Sequence, residues 1–221
     1  MIKLCIAGAT GRMGSTLVKE AVTRRFQIVG TVAAAEDPNV GKSLRTAGIV
    51  DMDTQIVAPP RLKEAIADAD VYVTFTAPKA EVENLPVVAE AGKRIVMGTT
   101  GFTNEQMSKI RESVAAKVPA VFSPNYALGV NVLFKLVKTL SILPSDYNFS
   151  IMEIHHIGKK DAPSGTAKKL SELVSEARGY STVVHGREGI SPRKPEEIEV
   201  LAVRAGGCLL YTSPSPRDRQ K

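Results

Sequence analysis

A short apolar run, Ile2-Lys3-Leu4-Cys5-Ile6-Ala7, leads directly into Gly8-Ala9-Thr10-Gly11-Arg12-Met13-Gly14. A strand, closely spaced glycines and then a helix-like segment form the opening of a dinucleotide-binding βαβ unit. Glycines let the backbone turn tightly and approach a pyrophosphate, whose charge is met by amide N–H groups at a helix N-terminus. A lone glycine triplet can be an ordinary turn. Here the order strand, glycine loop, helix, strand is complete, which favours the ligand-binding reading. Arg12 lies inside the loop, where a guanidinium suits a phosphate.

The first half continues the alternation expected of a mainly parallel sheet. Strands are expected at Ile2–Ala7, Ile28–Ala33, Val71–Thr76, Arg94–Met97 and Ala120–Phe122, with helices near 12–25, 61–68, 79–91 and 103–117. Thr103-Asn104-Glu105-Gln106 reads as a capping box. Past Gly129 the character changes to α+β. One helix is expected over Val130–Leu143, ended by Pro144. The strand Phe149–His155, a helix from Ser164 to Arg178 and the strand Ile198–Arg204 follow. The fold class is therefore α/β: a Rossmann-type dinucleotide-binding domain over 1–127, then an α+β domain over 128–207. Residues 208–221, with two prolines and a basic end, read as a disordered tail resembling translated cloning or adaptor DNA.

Composition narrows the function. At 221 residues and 43% hydrophobic the chain can bury a real core. Tryptophan is absent and aromatics are 5%, which argues against a stacking platform for single-stranded nucleic acid. The net charge of +6 suits anionic small molecules such as cofactor phosphates. Cys5 and Cys208 have no Cys or His neighbours at metal-ligand spacing, so neither a disulfide framework nor a metal site is expected. With no signal-peptide h-region and no bilayer-length apolar run, the expectation is a cytoplasmic protein with no membrane partner and no nucleic-acid partner.

Five further segments bear on the chemistry. After the second strand the first carboxylates are Glu36 and Asp37; either or neither reaches an adenine ribose, so NADH and NADPH stay open. Val40-Gly41-Lys42-Ser43 imitates a P-loop but has Glu36 where that motif needs glycine, and reads as a surface loop. Phe75-Thr76-Ala77-Pro78 and Gly98-Thr99-Thr100-Gly101 each follow a strand, where small and hydroxyl residues let backbone touch a flat ring. In His155-His156 neighbouring strand residues point to opposite faces, so the pair does not share a metal. Histidine titrates near neutrality, which suits a proton donor. Lys159, Lys160 and the N-cap Ser164 of the next helix complete a cationic patch fit for a carboxylate. Standing alone, that segment reads as a basic surface turn.

The motifs taken in order are Gly-x-x-Gly-Arg-Met-Gly, Phe-Thr-x-Pro, Gly-Thr-Thr-Gly-Phe, Pro-Asn-Tyr-x-x-Gly-Val-Asn and Glu-x-His-His-x-x-Lys-x-Asp-Ala-Pro-Ser-Gly-Thr. With them the chain resembles the dihydrodipicolinate reductase family from residue 1 to about Gly207. The resemblance implies NAD(P)H-dependent reduction of 4-hydroxy-tetrahydrodipicolinate, a small dicarboxylate, in lysine and diaminopimelate biosynthesis. It implies His155 as proton donor and Lys159 as catalytic lysine, with His156, Ser164, Gly165 and Thr166 binding substrate. Cofactor contacts are implied for Gly8, Ala9, Thr10, Gly11, Arg12 and Met13, for Gly98, Thr99 and Thr100, and for Ser123, Pro124, Asn125 and Tyr126. Family members form homotetramers through the second domain's sheet and continue past the Arg-Ala-Gly segment, so that domain is expected to be incomplete here. Ala34 stands where many members carry the acidic ribose ligand.

Two other readings compete. A short-chain dehydrogenase needs Tyr-x-x-x-Lys, and none of the tyrosines here is followed by lysine at that spacing. A truncated protein that binds cofactor without turnover is the other, distinguished by NADH binding without consumption.

Overall fold

The computed structural model describes residues 1–206, and the tail expectation for 208–221 lies outside them. The chain divides into two compact units, Met1–Ser123 and a second from Pro124 onward.

The first unit is a doubly wound sheet. Its elements are β1 (Lys3–Ala7), α1 (Arg12–Thr23), β2 (Gln27–Val32), β3 (Ile56–Val57), α2 (Leu62–Ile66), β4 (Val71–Thr74), α3 (Pro78–Glu90), β5 (Arg94–Met97), α4 (Asn104–Val114) and β6 (Ala120–Phe122). The strand order is β3-β2-β1-β4-β5-β6, parallel throughout. The chain winds outward from β1 to β3, then returns to β4 on the other side of β1. That reversal opens a crevice beyond the carboxyl ends of β1 and β4, where such sheets bind ligands. Alternate residues of β1 feed the two faces: Cys5 and Ala7 pack with Leu62, Ile66, Tyr72, Leu85 and Val88, whereas Ile6 packs with Val18, Ile28, Leu44 and Ile56. Burial on both faces explains the continuous apolar strands.

The capping box at Thr103 is formed. Its hydroxyl accepts from Gln106 N at 3.2 Å and Gln106 Oε1 accepts from Thr103 N at 2.9 Å. Two short strands escaped sequence reading. β3 is only two residues long, too short for a period-2 pattern, and is held by Gly41 N–H to Ile56 O at 2.9 Å and a Ser43–Gln55 bridge. Gly41 and Lys42 belong to this exposed loop and not to a strand-to-helix turn.

The second unit contains α5 (Leu128–Val137), β7 (Ser150–His155), α6 (Gly165–Arg178), β8 (Thr182–Val184) and β9 (Glu197–Arg204). Its sheet runs β7-β9-β8, again parallel. β8, at three residues, is the other strand without a sequence signal. The single helix expected over Val130–Leu143 is corrected: α5 ends at Val137, and Leu140–Ile142 form a separate 3₁₀ turn. Thr139 Oγ1 bonds back to Leu136 O at 2.7 Å, offering that carbonyl an alternative to helix. The Arg178 guanidinium then takes the carbonyls of Leu140, Leu143, Pro144 and Tyr147 at 2.7–3.2 Å, so this stretch is satisfied without helical bonds. Among the described residues no helix is long and apolar enough to cross a membrane.

Candidate active site

In the first unit the site starts where β1 gives out. Gly8 turns at φ +75°, a left-handed conformation that favours glycine. Its N–H and that of Ala9 both donate to Val32 O, at 2.8 and 3.2 Å, and Gly11 N–H donates to Gly8 O at 3.0 Å. Gly14 is buried so close beneath that a Cβ there would fall 1.8 Å from Gly8 O. Helix α1 starts after Gly11 with no side-chain cap and no acidic residue in its first turn, so its positive end meets no carboxylate of its own.

Gly8, Thr10 and Gly11 line a cleft of about 250 Å³ with Ala34, Asp37 and Phe75–Ala77. Ala9 is fully buried, whereas Arg12 and Met13 are exposed on the first turn of α1. Of the two acidic candidates, Asp37 faces the cleft and Glu36 is exposed outside it. Asp37 accepts from Thr10 Oγ1 at 2.6 Å and from Asn39 N at 2.8 Å. Partial burial opposes its ionisation, but these hydrogen bonds and the Lys42 charge outweigh it and hold the carboxyl below its ordinary range. A glycine-rich turn, an uncapped helix start and a carboxylate at the far end fit a dinucleotide.

The loops after β4 and β5 are tied together. Gly98 N–H donates to Thr74 O and Thr76 N–H to Thr99 Oγ1, both at 2.9 Å. Beneath them lies Glu81, fully buried on the first turn of α3, which sequence reading passed over. Its Oε1 accepts the hydroxyls of Thr74, at 2.5 Å, and Thr76. Among the described residues its Oε2 has no hydrogen-bond partner, and burial pushes the carboxyl above its ordinary range. Thr99 is thus buried structure, while Gly98 and Thr100 are partly exposed. Ser123 closes β6, its N–H donating to Met97 O at 3.2 Å.

In the second unit β7 places Glu153 and His155 two residues apart on one face of the strand, as strand geometry requires. His156 lies just past the strand end. Glu153 Oε1 accepts the Ser164 N–H at 2.8 Å and lies 3.6 Å from Arg204 Nη1; Oε2 lies 3.5 Å from His155 Nδ1. Lys159 Nζ pairs with Asp161 Oδ1 at 2.7 Å. Arg204, at the end of β9, donates to the carbonyls of Lys159 and Asp161 and so pins the loop carrying both. Ser164 caps α6, its Oγ accepting from Ala167 N at 3.1 Å. Asn125 Nδ2 donates to Thr166 Oγ1 at 3.2 Å, which joins a residue expected on the cofactor side to one expected on the substrate side. Pro124 is half-buried and Tyr126 exposed.

Electrostatics keep this cluster poised. Burial lowers the His155 pKa, and the Lys159 and Arg204 charges act the same way; Glu153 and Asp161 oppose them. Asp161 sits below its ordinary range: burial opposes ionisation, but the hydrogen bond and charge of Lys159 prevail. The arrangement can present a weak acid beside cations and a helix N-terminus, a set suited to an anion that needs a proton. Glu153 and Asp161 stood in the sequence motif without roles. Arg204 carried no signal beyond its place at a strand end.

The family model described as Dihydrodipicolinate reductase, N-terminus, matches residues 2–126, and that described as Dihydrodipicolinate reductase, C-terminus, matches 129–213. The chain is 40% identical over 212 residues to the 4-hydroxy-tetrahydrodipicolinate reductase of Methanopyrus kandleri, covering 93% of this chain and 77% of the relative. It is 41% identical over 216 residues to the enzyme of that name from Methanosarcina barkeri, covering 93% and 79%. Among solved structures, dipicolinate-bound dihydrodipicolinate reductase from Paenisporosarcina sp. TG-14 superposes with a TM-score of 0.62 at 24% identity, over 92% of this chain and 79% of that one.

Proposed function

Since the chain belongs to the dihydrodipicolinate reductase family, and so catalyses the NAD(P)H-dependent reduction of 4-hydroxy-tetrahydrodipicolinate in lysine and diaminopimelate biosynthesis, we propose a division of labour between its two units. The first unit holds the nicotinamide cofactor, which when bound supplies the hydride. Gly8, Thr10 and Gly11 receive its pyrophosphate at the start of α1, and Asp37 accepts from a ribose hydroxyl. An ionised Asp37 repels a 2′-phosphate, which supports NADH over NADPH.

The second unit holds the substrate and manages the proton. Ser164, Gly165 and Thr166 offer helix N-terminal donors, and Lys159 offers a cation, to the carboxylates of the substrate. His155 gives the proton. At rest its imidazole is biased toward the neutral form by burial, Lys159 and Arg204. Carboxylates arriving on those cations offset them, so substrate binding itself favours the imidazolium that donates. The observation that carries this reading is the gathering of His155, Ser164 and Arg204 around one buried carboxylate, Glu153, with Lys159 held on Asp161 in the loop that Arg204 clamps. Apolar residues exposed on the β7-β9-β8 sheet, Met152, Ile154, Val183 and Val203, support the family's homotetramer for this chain. The same membership supports a cytoplasmic location.

The test is turnover with NADH and 4-hydroxy-tetrahydrodipicolinate. His155→Gln is expected to lose about 10²–10⁴-fold in kcat while binding NADH as before. Full turnover in that variant removes His155 from the role. NADH binding without consumption by the unmodified chain selects the cofactor-binding, non-catalytic alternative.

A further inference from the structure

Glu153 is nine-tenths buried, its side chain 9% exposed, at the centre of the cluster on β7. One oxygen is committed: Oε1 takes the Ser164 N–H at the start of α6, with Arg204 beside it. The other is not. Among the described residues Oε2 has no hydrogen-bond partner, and neither has His155 Nδ1, which faces it at 3.5 Å. That separation is beyond a formed hydrogen bond, yet a protonated His155 forms an ion pair with Glu153 there. We infer that Glu153 is a positioning residue for proton transfer, orienting the His155 imidazole through Nδ1 while its second oxygen holds the first turn of α6. The inference rests on the reading of His155 as proton donor.

With Nδ1–H directed at Glu153, Nε2 is the nitrogen left to exchange the proton, and the buried carboxylate steadies the imidazolium that carries it. The other charges facing the ring come from two elements. The loop after β7 contributes Lys159 and Asp161, with Lys168 acting on Asp161, and β9 contributes Arg204. Lys159 is paired with Asp161, whose opposite charge offsets part of its effect on the ring. Arg204 spreads over the carbonyls of Lys159 and Asp161. Glu153 is therefore the acid best placed to set the charge on His155. A purely structural Glu153 would matter only as the acceptor for Ser164 N–H.

Glu153→Gln separates the two roles, because an amide oxygen still accepts that N–H while the negative charge is gone. Glu153→Ala removes both. The full chain has three histidines, so each imidazole can be followed by NMR, with His155→Gln assigning the signal. In folded Glu153→Gln the His155 midpoint is expected to fall by about one pH unit. The basic limb of the kcat/KM profile should fall with it, with KM for NADH and the thermal melt unchanged. An unchanged His155 midpoint overturns the inference, as does a shifted midpoint with an unmoved basic limb. Should the unmodified chain consume no NADH with substrate, the reductase reading is what has failed, and the titration still decides whether Glu153 governs His155.

Discussion

Gly14 lies so close under Gly8 that a single added methyl would stand 1.8 Å from the Gly8 carbonyl oxygen. The contact sets how near α1 approaches the turn after β1, and so where the helix N-terminus points. Gly14→Ala is expected to push the two apart and destabilise the fold by about 1–3 kcal/mol. NADH affinity should fall further than stability alone explains. Gly129→Ala on α5, where an added methyl meets nothing within 4 Å, is the control and should be neutral or stabilising by about 1 kcal/mol. Urea melts and NADH fluorescence titrations check both.

Asp37 and Thr10 share a 2.6 Å hydrogen bond across the cleft wall. Asp37→Asn keeps an acceptor and discards the charge that disfavours a 2′-phosphate. The ratio of KM for NADPH to KM for NADH is expected to fall about tenfold, equivalent to about 1.4 kcal/mol. An unchanged ratio means that Asp37 does not face the ribose.

Glu81 leaves a thermodynamic signature with a definite sign. Its folded-state pKa is raised, so its contribution to stability is present below the unfolded carboxylate range and is lost as pH rises through the folded value. Glu81→Gln keeps an acceptor for Thr74 and Thr76 without an ionisable group. Its stability relative to the unmodified chain should therefore rise between pH 4 and pH 8, in denaturant melts taken across that range. Glu81→Ala, which strips both hydroxyls of their acceptor and leaves a void, should cost about 2–4 kcal/mol.

Cys5 is fully buried in β1, and burial pushes its thiol pKa up to about 12. In a Cys208→Ala background the native chain should not react with a thiol reagent at pH 8, and unfolding in denaturant should release one equivalent. Reaction in the native state would place β1 outside the core.

The legible parts of this fold are those whose physics is local. The β1–glycine–α1 entry, the capping box at Thr103 and the cap at Ser164 each need only a few neighbouring residues, and each has a spacing to read. His155, Lys159 and Ser164 fall within one short stretch, so their grouping shows in the sequence. Glu81 does not announce itself, because an acid near a helix N-terminus looks solvent-exposed until Thr74 and Thr76 are folded over it. Arg204 and Asn125 reach Asp161 and Thr166 across 43 and 41 residues, distances at which no spacing rule operates. The break in the helix expected over Val130–Leu143 depends on Arg178, more than thirty residues downstream.

The anchoring of Lys159 and Asp161 by Arg204 has a bearing on synthesis. During translation the glycine turn and its parallel sheet have all their partners well before β9 leaves the ribosome. The histidine loop does not, because its clamp is the last residue of the last described strand. A growing chain therefore completes its glycine turn early, and fixes the loop carrying Lys159 and Asp161 only once β9 has docked beside β7.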